Sequence, residues 1–145
     1  MKPGIDHIGV AVCALILNEN KEIFLAKRSQ NCRNGKGYWE APGGKVEFGE
    51  RLADAIKREI YEEHGVEIEI LKQFPAMDHI VPEEQQHWVT TAFVVGIEGE
   101  QAPKIMESDK CDAVGFFALD NLPQPLASIT KIDIDYFIKQ RSLQD

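Results

Sequence analysis

Residues 44–66 read GKVEFGERLADAIKREIYEEHGV, and their pattern organises the chain around them. From 50 to 64 the spacing is helical: Leu52, Ala55, Ile56 and Ile60 recur every three or four residues and form one apolar side. Gly65 is a natural stop, since glycine takes the left-handed backbone angles on which helices end. On the same helix Glu59, Glu62 and Glu63 stand at i, i+3 and i+4, a spacing that brings three carboxylates to one spot. Like charges so placed repel, by roughly a few tenths of a kcal/mol per exposed pair. Two readings follow: a solvated glutamate-rich face, or an oxygen-only anionic site for Mg²⁺ or Mn²⁺.

Outward from this helix the chain reads as strands. Residues 7–17 (HIGVAVCALIL) are apolar and branched, like a strand buried on both faces. Asn18 to Lys21 is a polar turn and 22–28 (EIFLAKR) a second strand, which together predict a hairpin. A polar loop over 29–37 leads to Trp39 and a sharp turn at Ala41-Pro42-Gly43-Gly44. Past the helix, strands are expected near 66–71, 88–97 and 113–119, with a polar loop over 98–110. Pro123 and Pro125 precede a last helix, about 129–140, with Ile132, Tyr136 and Phe137 as its buried face. This order implies an α+β fold, helices packed against a mixed sheet. No repeat or linker interrupts it, so residues 1–145 read as a single domain.

Composition narrows the chemistry. A net charge of −8 argues against a nucleic acid polymer as partner, since its phosphates are gripped by clustered Lys and Arg. An acidic protein still accepts a phosphorylated small molecule when a divalent cation stands between them. The longest apolar stretch, Ile8 to Leu17, is about half of the ~20 residues a membrane helix needs, so no membrane partner is expected. With only Lys2 before it, the stretch also reads against a signal peptide. Cys13, Cys32 and Cys111 are few and widely spaced, which suggests reduced thiols in a cytoplasmic protein.

The whole of 44–66 resembles the Nudix hydrolase box, G-x5-E-x7-R-E-U-x-E-E-x-G-U, with U a bulky aliphatic residue. Gly44, Glu50, Arg58, Glu59, Ile60, Glu62, Glu63, Gly65 and Val66 each fall at the required place, without gap or substitution. Trp39, Pro42 and Gly43 resemble its usual lead-in. The resemblance implies an α/β/α sandwich, a mixed sheet between helices. It also implies a hydrolase of nucleoside diphosphate-type linkages that uses Mg²⁺ or Mn²⁺. Glu59 and Glu63 are then the principal metal ligands, with Glu62 ligating directly or through water. Gly44 would offer a backbone carbonyl. Glu50 and Arg58, roughly two helical turns apart, would pair to orient the metal-binding face. Glu47 sits on the loop side of the same site. The general base is expected at Glu63 or at Glu107.

Two further stretches, NENKEIFLAKR at 18–28 and MESDKCDAVGFFALDNLP at 106–123, resemble the MutT-like branch, which splits nucleoside triphosphates into monophosphate and pyrophosphate. That likeness gives Arg28 a substrate phosphate, which its planar fork suits, with Lys45 assisting and Lys27 facing the other side of the strand. It places 125–128 near the base. There Leu126 stands where the MutT prototype has an asparagine, and leucine offers no hydrogen bond to a purine edge. Trp39 is the candidate to stack on a nucleobase, whereas Trp88, Phe116 and Phe117 read as core. His79 and His87 bracket a variable loop and lack metal-ligand spacing. The alternative activity is that of the ADP-ribose and other nucleoside diphosphate-X pyrophosphatases. Their proline beyond the box is matched in distance, though not in context, by Pro82. From another class, the alternative is a nucleotide-sensing Nudix domain without activity; such sensors usually lose box glutamates, and here all are present. The resemblance also predicts a homodimer.

Overall fold

Strand β1 (Gly9–Ile16) buries both faces along its second half, and the two faces feed different cores. In the computed structural model, which describes residues 1–144, Val12, Ala14 and Ile16 pack with Ala55, Ile56 and Ile60 of helix α1 (Leu52–His64). Leu15, flanked by Cys13 and Leu17, packs instead with Ile134 and Phe137 of helix α2 (Ser128–Gln144). Strands β2 (Ile23–Arg28) and β7 (Gln86–Ile97) divide their side chains in the same alternating way, as the two-residue period of a strand requires. Phe24, Phe93 and Val95 face α1, and Ile23, Leu25, Ala92 and Val94 face α2. The result is the expected α+β sandwich.

The larger sheet runs β4-β1-β7-β5, with β4 (Gly43–Lys45), β5 (Ile68–Gln73) and β6 (Met77–Val81) completing it. β1 and β7 are parallel, from Gly9 opposite Trp88 to Ile16 opposite Val95, while the other pairs are antiparallel. A smaller antiparallel sheet holds β3 (Trp39–Glu40), β2 and β8 (Cys111–Phe117). No helix among the described residues is long and apolar enough to cross a membrane.

Several local expectations are corrected. The β1–β2 hairpin shrinks to one bridge, Leu17 with Ile23, because β4 and β7 already occupy the edges of β1. The segment between His79 and His87 is no open loop. Met77–Val81 is a strand on the first half of β7, joined to it by a 3-10 turn that begins at Pro82. Its alternation is between half-buried and exposed positions, which leaves little apolar signal. Ile132 is 48% exposed; Phe137 is buried as expected, and α2 buries Thr130, Asp133 and Ile134 beside it. Polar residues face inward here because each makes a bond: the Ala41 N–H donates to Thr130 Oγ1 at 3.0 Å, and the Cys13 thiol to Asp133 Oδ2 at 3.2 Å. Trp88 lies against Gly4 and Gly9 and donates its indole N–H to Gln86, so it anchors the N-terminal segment. Phe116 packs edge-on against Phe24, and Phe117 against Trp39.

Candidate active site

Helix α1 is amphipathic in the literal sense: Ile56 and Ile60 are fully buried, while its acidic side turns toward β4 and solvent. It ends where expected, with Gly65 at φ 69° and its N–H bonded to the Tyr61 carbonyl. At Gly44 a Cβ would stand 2.5 Å from the Glu59 carboxylate. Only glycine lets the β4 backbone and this carboxylate lie so close.

Arg58 is the hub of the acidic side. Its Nε–H donates to Glu50 Oε2 at 2.6 Å and its Nη2 to Glu50 Oε1 at 2.9 Å, a two-point grip. Nη2 also reaches the Lys45 carbonyl at 3.1 Å, which ties α1 to β4. Nη1 donates to Glu59 at 3.0 Å and to Glu62 at 3.3 Å. The grip on Glu50 holds that carboxyl down to a pKa of about 2 and raises the pKa of Arg58. The expected pairing of Arg58 with Glu50 is therefore present, and it extends to two of the box glutamates.

A cleft of about 560 Å³ opens beside α1. Glu59 and Glu63 line it from the helix, Glu40 from β3, and Glu107 and Asp109 from the loop before β8. Lys27, Arg28, Arg33, Lys45 and Lys110 line it with the opposite charge. Burial pushes the Glu63 carboxyl well up, and the charges of Glu59, Glu40 and Glu107 push it further. Its Oε1 is buried with no hydrogen-bond partner among the described residues. Glu62 is not drawn in: its side chain is 53% exposed and bonded to Arg58. Glu47 is likewise exposed, and its backbone contacts Glu50, its N–H donating to Glu50 Oε1 and its carbonyl accepting from the Glu50 N–H.

These residues fit a hard dication. The donors are all oxygen, one buried carboxylate oxygen lacks a partner, and Gly44 keeps the space in front of Glu59 clear. Among the described residues no three acidic, histidine or thiol side chains meet at one point. An ion would therefore complete its shell from backbone, water and substrate phosphate, the usual arrangement for Mg²⁺.

Arg28 lines the cleft as expected, and Lys27 does too, against the expected alternation. The ladder slips between them: Lys27 pairs with Ala113 and Arg28 with Cys111, so Asp112 is an extra residue and strict alternation is lost. Arg28 is held by Glu40 at 3.1 Å and by the Asn34 carbonyl at 2.8 Å. Lys45 and Glu107 line the cleft, the latter 3.7 Å from Lys110. Trp39 and Leu126 do not. They are bridged to each other through the backbone and pack toward the α2 core.

Arg33, Asp109 and Lys110 in polar loops escaped the sequence reading, and so did two residues in apolar settings, Glu40 and His64. Glu40 is an acid inside an otherwise apolar run, Trp39 to Pro42; burial raises its pKa, and Arg28 pulls against that rise. His64 follows Ile56 and Ile60 at four-residue spacing, which puts it on the buried stripe, where it is 1% exposed. Burial lowers its pKa, so the ring is neutral near pH 7.

Comparison with known proteins agrees with this geometry. A model of the NUDIX domain matches residues 7–137. The chain belongs to the NUDIX domain family. It is 32% identical over 130 residues to the ADP-ribose pyrophosphatase of Methanocaldococcus jannaschii, covering 90% of this chain and 73% of that protein. To the 8-oxo-dGTP diphosphatase of Escherichia coli it is 35% identical over 69 residues, 48% of this chain and 53% of that one. The crystal structure of a MutT NUDIX hydrolase from Burkholderia pseudomallei superposes with a TM-score of 0.81 at 36% identity, covering 89% of this chain and 97% of that one. Of some other curated relatives the chain spans only 21% to 35% of the length. The protein is thus a Nudix hydrolase of the MutT-like branch, acting on a nucleotide.

Proposed function

We propose that this Nudix domain, read as the single domain of the chain, hydrolyses a nucleoside triphosphate, or a modified deoxynucleoside triphosphate, to the monophosphate and pyrophosphate. The observation that carries this reading is one cleft with a carboxylate floor, Glu59 and Glu63, facing five lysines and arginines. A polyphosphate needs both: cations for its oxygens, and an acidic floor that can hold a neutralising dication.

Mg²⁺, or Mn²⁺ in its place, would be held by Glu59 and Glu63 with the Gly44 carbonyl, Glu62 joining through water. When bound, such an ion neutralises phosphate charge and lowers the pKa of a water. The chain's own residues do the rest. Arg58 and Glu50 fix the helix face, Arg28 and Lys45 grip phosphate oxygens, and Glu107 takes the proton as water attacks phosphorus. The bond from that phosphorus to the bridging oxygen breaks, and pyrophosphate leaves. The substrate is a free nucleotide, consistent with the net charge of −8, and the protein works as a cytoplasmic homodimer.

The deciding experiment is a panel of nucleoside triphosphates, 8-oxo-dGTP and ADP-ribose, assayed with Mg²⁺. Pyrophosphate release from a triphosphate is expected to dominate. The second reading, an ADP-ribose pyrophosphatase, is favoured by the name of the M. jannaschii relative. Predominant formation of AMP and ribose 5-phosphate would establish it. Pro82 lends it little support, since its place is explained by the 3-10 turn between β6 and β7, away from the cleft.

A further inference from the structure

His64 is a polar ring on the buried stripe of α1, a position that a leucine would fill without any polar atom to satisfy. Its contacts show what the ring supplies. Nδ1 lies 2.9 Å from the Lys104 carbonyl oxygen. A carbonyl only accepts, so Nδ1 carries the proton and donates, and the neutral ring keeps its lone pair on Nε2. Nε2 is buried with no partner among the described residues, where a second N–H would be an orphaned donor. Edge-on packing against Phe24, with centroids 4.8 Å apart, fixes the ring plane.

The bond is one of three between the end of α1 and a segment forty residues away. The Lys104 N–H donates to the His64 carbonyl at 3.0 Å, and the Met106 N–H to the Glu63 carbonyl at 3.0 Å. Glu107 comes next. On its other side, the Lys110 and Cys111 N–H groups close onto its carbonyl at 3.0 and 3.2 Å, in the turn that enters β8. Among the described residues its own carboxylate has one ion pair, with Lys110 at 3.7 Å, so its aim is set by the backbone between these anchors.

We propose that His64 is a positioning residue, clamping the 104–107 segment to the last turn of α1 so that Glu107 faces Glu63 across the cleft. The inference rests on the functional reading above, with Glu107 as the base. It concerns the Nδ1–H donor and not the charge of the ring. The donor is backed by its place on Cγ: asparagine carries an amide at that same place, whereas glutamine carries it one bond further out and leucine has none.

The test compares His64→Asn, His64→Gln and His64→Leu in the full chain, with folding followed by thermal melts. Leucine and glutamine are expected to lower kcat about tenfold, near the worth of one buried hydrogen bond, with KM for the nucleotide unchanged. Asparagine should stay within about threefold of the parent for the same reason. Combining His64→Leu with Glu107→Gln should add less than about twofold to the loss from Glu107→Gln alone, since one residue acts through the other. Losses that multiply, a loss confined to KM, or an asparagine variant as poor as leucine would overturn the proposal. Amide exchange over 104–107 gives a readout that needs no turnover. It should quicken in the leucine and glutamine variants and not in asparagine. Unchanged exchange in those two variants sinks the clamp, whereas an inactive parent protein sinks the functional reading instead. If leucine does not fold, the glutamine–asparagine pair carries the same comparison.

Discussion

Each face of the sandwich holds an acid that is at least partly buried, and the two acids meet different surroundings. On the α1 side Glu63 stands at an open cleft, with lysines and arginines on the rim and one carboxylate oxygen unpaired. On the α2 side Asp133 is sealed at 2% exposure, its one side-chain bond coming from the Cys13 thiol at 3.2 Å. Burial pushes both carboxyls up, Asp133 to about 6, and pushes the Cys13 thiol up as well, so that thiol keeps its proton and donates. The difference lies in access. A costly acid that a cation can reach from solvent is suited to bind one, because the ligand relieves the cost. A costly acid that nothing can reach is fixed into the fold.

The largest effect should come from Glu63→Gln, which exchanges a proposed ligand oxygen for a neutral amide. Activity with Mg²⁺ is expected to fall by more than the roughly 10–100-fold that outer partners of metal sites carry, while the melting temperature of the metal-free protein holds or rises, since the amide removes the cost of the buried charge. Parent-like turnover would break the contrast at once. Ile60→Ala, one turn back on the same helix and fully buried, should do the reverse. It is expected to cost ~2–5 kcal/mol of stability in urea unfolding, with the folded fraction still active.

What the sequence displayed and what it hid follow from how far each signal reaches. The 44–66 box is local: a helix period, a stop glycine and carboxylates at fixed spacing survive without knowing what packs against them. Arg58 and Glu50 meet as their spacing predicts, eight residues apart. The errors are tertiary. Thr130 and Asp133 face inward because partners on other elements bond them, so choosing the most apolar face of α2 puts Ile132 in the wrong place. Lys27 joins Arg28 at the cleft because an extra residue on β8, Asp112, slips the ladder, and nothing in strand β2 itself announces that. Trp39 and Leu126 do come together, but under α2 and away from the cleft. Glu40 and His64 were legible in principle, each as a polar residue in an apolar setting. What they bond could not be read, since both partners, Arg28 and Lys104, are distant in sequence.

Asp133→Asn sharpens the sealed side of the comparison. The folded-state pKa, about 6, lies above the ordinary value of 3.8. The contribution of this carboxyl to the parent's stability is therefore fully present below 3.8 and lost as pH rises to about 6, because the unfolded chain ionises first. The rise from 3.8 to about 6 corresponds to at most ~3 kcal/mol. Asparagine keeps an oxygen for the Cys13 thiol and removes the titration. The variant should match the parent near pH 4 and be more stable by ~2–3 kcal/mol at pH 7, read from urea unfolding at both pH values. A constant difference between the two would mean that packing, not ionisation, separates them.

The smallest effect tests the open side. Arg28 makes two bonds that hold its guanidinium in the cleft, to Glu40 at 3.1 Å and to the Asn34 carbonyl at 2.8 Å. Lysine keeps the charge but has no fork, so it can serve Glu40 or a phosphate and not hold both geometries. The pair is about one-third exposed, so Arg28→Lys should change stability by less than ~1 kcal/mol. If Arg28 grips a phosphate that does not move during reaction, ground state and transition state lose equally. KM should then rise about three- to fivefold with kcat nearly constant. A fall in kcat at constant KM would instead place Arg28 beside the phosphorus under attack, where charge develops as the bond breaks. The cations of the cleft would then share the work here assigned to the ion that Glu59 and Glu63 would hold, and the difference between the two acids would narrow accordingly.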